Sequence, residues 1–351
     1  MKIAIDISPL DNGHKVRGVG FYLRNLKEAL SKSERDNSFQ YFASVSEVNE
    51  ADIVHFPYFD PFSRVIPFNL PFSTVVTIHD LIPIKFAKQF PVGLRGNLNW
   101  RINKFQIKKL AAIITDSISS KRDIVKYLSY PANKIHVVYL AADKKFTSHK
   151  LSQDRVKELS SKYNLPKKFA IYVGDVTWNK NLPRLVKACI NKNIPLVMVG
   201  KALSECDYDH SHPWNKDLVE VQKLISGSKN IQSIGFVEDN DLVDLYSFAT
   251  VFVMPSLYEG FGLPIIEAMQ SGTPVVTSRQ GSLAEVGGEA VKYVDAYDLE
   301  DIGQGIAEVF NSQSLQEELC KKGLEQAKKF SWEKTAEQTM SVYDKVVGRR
   351  S

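Results

Sequence analysis

Glu259 and Glu267 stand eight residues apart in the run Glu259-Gly-Phe-Gly-Leu-Pro-Ile-Ile-Glu267, around two glycines and a proline. Glycines permit tight backbone geometry, and Pro264 suits the first position of a helix, where its missing N–H costs nothing. Such a turn aims the backbone N–H groups around residues 261–264 outward at a positive helix end, which holds phosphate without a metal. Gly260, Phe261, Gly262 and Leu263 form this expected cradle. Glu259 then sits at the mouth of the loop. Glu267, expected in the first helical turn, can accept hydrogen bonds from sugar or ribose hydroxyls.

Other residues of chemical interest lie where strand-like runs end. His79 and Asp80 close the run at 74–78, so they project from the carboxyl end of a strand, where ligands bind in open α/β sheets. Asp80 has three readings: a cap for the next turn, a contact to an acceptor hydroxyl, or a base. Gly18 and Gly20 follow the first strand, with Arg17 beside them, in a pattern that also fits an ordinary strand-to-helix turn. Ser282, with Glu285 three residues on, reads as a helix start with a serine cap. Asp207-Tyr-Asp209 and Asp239-Asn-Asp241 match a metal-binding triplet. Both lie outside the expected phosphate cradle, which has no need of a metal, so no metal site is expected.

The elements that must position these groups alternate along the chain. Strand-like runs at 2–7, 52–56, 73–79, 111–116 and 134–138 alternate with helical patterns near 21–30, 94–110 and 119–128. Polar sequence at 143–168 separates this half from a second series at 169–173, 195–199, 230–234, 251–254 and 274–277. Alternation of this kind argues for parallel sheets covered on both faces. At 351 residues the chain exceeds the usual size of one domain. The expected division is residues 1–150, residues 151–330, and a final segment 331–351 whose helix is capped by Ser331.

Residues 1–150 hold 22 Lys and Arg against 13 Asp and Glu, whereas the remainder holds 23 against 27. Between Asp80 and Asp116 there is no acid, only Lys85, Lys88, Arg95, Arg101, Lys104, Lys108 and Lys109. A cationic surface here suits anionic lipid or a phosphate-bearing acceptor, with Arg95, Arg101, Lys104 and Lys108 as the candidate contacts; a solvated helix face is the plain alternative. Leu94, Leu98, Ile102, Phe105 and Leu110 approximate a second stripe, expected to pack inward. Cys189, Cys206 and Cys320 have no ligand-like spacing, so neither disulfides nor zinc are expected, and a reducing compartment fits. Asp6 comes too early for a signal peptide, and no apolar run nears a membrane span.

The Glu259–Glu267 run resembles the E-x7-E signature of the retaining family-four (group 1) glycosyltransferases of the GT-B fold. The resemblance covers nearly the whole chain: the glycines at 18–20, Thr77-Ile-His-Asp-Leu-Ile-Pro83, Ile114-Thr-Asp-Ser117, Tyr172-Val-Gly-Asp175, Lys180-Asn-Leu, Gly235-Phe-Val and the closing helix fall in the family's order. It implies two Rossmann-like doubly wound parallel-sheet domains, α/β in class, facing across a cleft. The N-terminal domain would take the acceptor and the C-terminal one the nucleotide sugar, with the last helix returning to the N-terminal domain. By the same resemblance Lys180 contacts the donor diphosphate and stabilises the leaving group, and His79 contacts the donor sugar. Gly18, Gly20 and Gly174 approach the diphosphate, and the backbone near Val237 meets the nucleobase. His79, Asp80, Lys180 and Glu259 are the expected catalytic set. Related enzymes often carry an arginine near the lysine. Here Asp175 and Asn179 occupy those positions, leaving Arg17 or Lys201 as other cations.

The implied activity is metal-independent, retaining hexosyl transfer from a nucleotide diphosphate sugar to a glycan or lipid-linked acceptor, in cell-surface polysaccharide or glycolipid synthesis. No cofactor beyond that donor and no nucleic-acid partner are expected. The motif context resembles bacterial O-antigen mannosyltransferases, which points to GDP-mannose. The expected location is the cytoplasm, peripheral at the inner face of the membrane. The alternative is a catalytically weak homologue that binds nucleotide sugar or supports a partner enzyme.

Overall fold

The computed structural model describes residues 1–11, 18–32, 37–204 and 207–348; Arg17 and Cys206 lie outside them. Twelve strands among these residues form two six-stranded sheets, all parallel. The first sheet contains β1 (Lys2–Asp6), β2 (Ser38–Phe42), β3 (Ile53–Phe56), β4 (Ser73–Thr77), β5 (Ala112–Thr115) and β6 (Ile135–Val137), in the order β2-β1-β3-β4-β5-β6. The second contains β7 (Ala170–Val173), β8 (Leu196–Val199), β9 (Ile231–Gly235), β10 (Val251–Met254), β11 (Val275–Ser278) and β12 (Lys292–Val294), in the order β12-β11-β10-β7-β8-β9. Central strands such as β3, β5, β8 and β10 are buried along their whole length, as helices on both faces require. The two strands not expected from the sequence, β2 and β12, are both sheet edges. With one flank open, they carry mixed burial in place of a continuous apolar run.

The chain packs as two units, Met1–Ala141 with Phe330–Ser351, and Ala142–Lys329. The division falls at Ala141/Ala142 rather than near residue 150. Phe146 is buried edge-on against Tyr246 at 5.6 Å, and Lys145 pairs with Asp239 at 2.6 Å, which ties the segment after Ala141 to the second unit. The last helix, Trp332–Val346, packs in the first unit. Ser331 caps it, Trp332 stacks near Phe21 and Tyr22, and the Tyr343 hydroxyl lies 2.7 Å from His55 Nδ1.

The helix Leu94–Ile107 departs from expectation. Leu94, Leu98 and Phe105 are 90%, 56% and 63% exposed, whereas Asn103, Gln106 and Ile107 are buried. The reason is local: the Asn103 amide donates to the carbonyls of Asp60, Pro61 and Ser63, so a polar face is turned inward to hold that loop. Gly18 and Gly20 likewise lie in the first turn of the helix Gly18–Ser31, not in a loop before it.

Candidate active site

Strand order creates the site in the second unit. β10 lies between β7 and β11, so the loops leaving the carboxyl ends of all three are neighbours. After β7 the chain passes Gly174 and a single 3-10 turn, Trp178–Lys180. After β10 it forms the 255–262 loop and enters the helix Leu263–Gln270. Lys180 Nζ thereby comes within 2.9 Å of both Glu259 oxygens, with hydrogen-bond geometry to Oε2. The two side chains are 19% and 7% exposed, so Glu259 is enclosed and not at an open loop mouth. Its Oε1 is a buried acceptor with no hydrogen-bond partner.

Two residues not assigned a role from the sequence hold these loops together. Asn179 donates to the Tyr258 carbonyl at 3.0 Å and accepts at its own carbonyl from the Leu257 N–H at 2.7 Å. Asn181, at φ 61°, donates to the carbonyls of Pro255 and Ala296. Lys180 is thus carried between two buried clamps. The signal was available in Asn-Lys-Asn, since asparagine both tolerates left-handed backbone and bonds loop carbonyls. Asn179 is 5% exposed, so an arginine at this position would have to displace the clamp.

Gly262 precedes the helix at φ 100°, and Pro264 occupies its second position rather than its first. No hydrogen bond joins the N–H of Gly262 or Leu263 to the described residues, leaving donors at a positive helix end. The loop is braced from behind. Ser282 donates to the Phe261 carbonyl at 2.7 Å instead of capping its own helix, and Gly281 lies so close to Glu259 that a Cβ would meet the Glu259 carbonyl oxygen at 2.5 Å.

Glu267 is the fifth residue of that helix, a turn later than expected. Buried Tyr246 donates to Glu267 Oε2 at 2.9 Å. Burial raises the Glu267 carboxyl to about 7, against the opposing pull of the Tyr246 hydrogen bond and of Lys145. Val237 is buried just after β9. The two aspartate triplets are engaged otherwise: Asp241 takes Arg155, Lys162 and Tyr163, Asp239 takes Lys145, and Asp209 takes Ser211. Among the described residues no cluster of His, Cys, Asp and Glu could hold a metal.

In the first unit, β4 and β5 are adjacent, which brings His79 and Asp116 together beyond their carboxyl ends. His79 Nδ1 lies 2.7 Å from Asp116 Oδ2, and Tyr22 packs edge-on against the imidazole at 4.9 Å. Burial alone would lower the imidazole, but the Asp116 and Asp80 carboxylates outweigh it and hold the group above its ordinary value. Asp80 accepts from the Ile82 N–H at 2.9 Å, the capping arrangement of its three readings. Arg95, Arg101 and Lys108 are exposed on the helix Leu94–Ile107 and its end, with Lys104 half-buried.

Two doubly wound parallel sheets of six strands in one chain are the architecture of the GT-B glycosyltransferases. Sucrose-phosphate synthase from Thermosynechococcus elongatus shares it with a TM-score of 0.76 over 99% of both chains at 20% identity. The chain belongs to the group 1, family 4 glycosyltransferases: residues 155–329 match the Glycosyl transferases group 1 model and residues 37–146 the Glycosyltransferase Family 4 model. The O-antigen chain mannosyltransferase B of Escherichia coli is 34% identical over 278 residues, 77% of this chain and 69% of that protein. The serotype-specific mannosyltransferase WbdA of Escherichia coli is 30% identical over 76% of this chain, which spans about a third of its length, 33%.

Proposed function

We propose that this chain is a retaining mannosyltransferase that moves mannose from GDP-mannose to a glycan or lipid-linked acceptor, in cell-surface polysaccharide or glycolipid synthesis at the cytoplasmic face of a membrane. The observation that carries the reading is the enclosed Lys180–Glu259 pair beside the helix end at Gly262 and Leu263. The similarity to proteins named mannosyltransferases supports the sugar. Among the described residues no helix is long and apolar enough to cross a membrane.

The donor diphosphate would lie against the N–H groups of Gly262 and Leu263, near Gly174 and Lys180. Negative charge grows on the diphosphate as the glycosidic bond breaks, so a fixed ammonium and oriented N–H groups stabilise the transition state more than the ground state. Glu259, held in its ion pair with Lys180, would accept from a hydroxyl of the donor sugar, while Glu267 takes a ribose hydroxyl and the backbone near Val237 meets the base. The leaving phosphate oxygen itself would take the acceptor proton on the face where the new bond forms, so no covalent nucleophile and no metal are required.

Incubation with GDP-, UDP-, dTDP- and ADP-sugars, followed by release of the nucleoside diphosphate, tests the reading. GDP release from GDP-mannose, with a product of unchanged anomeric configuration, is expected. Binding without turnover on any donor, even with candidate acceptors, would instead identify a catalytically weak homologue. Turnover of another donor alone would overturn the choice of mannose.

A further inference from the structure

We propose that the outward face of the helix Leu94–Ile107 is a docking surface for an anionic lipid bilayer, with Leu94, Leu98 and Phe105 entering the apolar boundary and the flanking cations meeting headgroup phosphates. This deepens the reading of a lipid-linked acceptor by naming where the chain meets lipid, and its test reads binding, not transfer.

Residues spaced by four and three along a helix share a face. Leu94, Leu98, Arg101, Phe105 and Lys108 follow that spacing, and all five are exposed. Water-facing apolar side chains are therefore concentrated where the sequence also excludes acids. Phe68 extends the patch: Lys109 Nζ reaches the Phe68 carbonyl at 3.3 Å and lies 5.2 Å from the Phe105 ring centroid, and the Arg64 guanidinium lies over the Phe68 ring at 5.6 Å. Of the nine large hydrophobics exposed among the described residues, four fall in this one patch, too many for scattered surface residues.

The cations argue for lipid as the occupant. Arg95, Arg101, Lys104 and Lys108 pair with no carboxylate among the described residues, and no acid lies between residues 80 and 116. An apolar stripe interleaved with Arg and Lys that lack carboxylate partners fits the boundary between acyl chains and anionic headgroups. A protein partner would satisfy the apolar residues but would also have to supply a carboxylate for each cation. The inward face is fixed by Asn103 and its three carbonyl contacts, so the helix is a rigid platform and its outer face can change without disturbing the fold.

The experiment is flotation of the full chain with phosphatidylglycerol-containing vesicles and with phosphatidylcholine vesicles, at low and high salt. Three proteins are compared: the parent, an R101E/K104E/K108E variant and an L98Q/F105Q variant. The charge variant should lose roughly tenfold or more of its anionic-vesicle affinity at low salt. The apolar variant should lose the binding that survives high salt, with thermal unfolding unchanged in both. Brominated acyl chains should quench a fourth protein, F105W, more strongly than the parent, whose four tryptophans, Trp100 of this helix among them, set the background. Equal binding to both vesicle types, or F105W emission quenched no more than the parent's, would overturn the proposal. So would self-association through this face, seen as concentration-dependent sedimentation that the L98Q/F105Q variant abolishes while vesicle binding is absent.

Discussion

Tyr246 donates its phenolic hydrogen to Glu267 across 2.9 Å, joining the helix Asp239–Phe248 to the helix that begins at the glycine loop. That bond fixes one carboxyl oxygen, Oε2. It also works against burial, since a donor to the ionised form favours it.

With Glu267 raised to about 7, ionisation falls in the neutral range. Affinity for GDP should therefore strengthen as pH rises through about 7, because the carboxylate is the better acceptor. Stability should move the opposite way. The carboxyl binds its proton more tightly in the folded state than at its ordinary 4.5, so its contribution is full below that value and is lost as pH climbs through about 7. Tyr246→Phe should shift the affinity midpoint upward, and Glu267→Gln should flatten the profile. Calorimetric titration of GDP from mildly acidic to mildly basic pH checks the three affinity outcomes, and unfolding midpoints over the same range check the stability.

Lys180→Met should lower kcat by about 100- to 1,000-fold, the usual loss when a group that stabilises developing charge is removed. It also leaves an enclosed carboxylate without its counter-ion, at a cost of order 3 kcal/mol. Glu259→Gln in the same chain should restore most of the stability and none of the rate. Unfolding midpoints beside initial rates for both single variants and the double variant separate the two effects.

Asn179→Arg should damage the protein rather than assist it. The substitution adds a cation beside Lys180, but it removes the bond to Tyr258 and forces a long charged side chain into a position that is 5% exposed. A loss of about 2–4 kcal/mol is expected, measured by urea unfolding.

Asp116→Asn should lower the titration of His79 relative to the parent, because burial is then opposed only by the weaker pull of Asp80 and the Pro57 backbone. In the parent the raised imidazole contributes stability that is complete below 6.5 and fades as pH rises through its folded value. The variant should lose that increment at low pH and match the parent more closely at high pH. Proton NMR titration of the imidazole and melting curves against pH provide the check.

Most of the fold was legible in the sequence. The interior strands β1, β3, β4, β5, β7, β8, β10 and β11 follow apolar β-branched runs, while the edge strands β2 and β12 carry no such run. The site was legible in part. Gly262 and Pro264 advertise the glycine turn that opens the helix Leu263–Gln270 through local backbone chemistry. Glu267's partner was not visible, since Tyr246 lies on another helix and reads as an ordinary core aromatic.

The sequence by itself determined the alternation of strand and helix, the family signature around Glu259 and Glu267, and the cationic stretch before Asp116, because each is written in neighbouring residues. Only the tertiary structure decided that Lys180 meets Glu259, 79 positions along the chain. That contact depends on β7 lying beside β10 in the sheet order, a choice made by crossover packing. It also decided that Leu94, Leu98 and Phe105 face water: helical spacing groups residues on a face, but what that face meets is set by the loop that Asn103 holds on the other side.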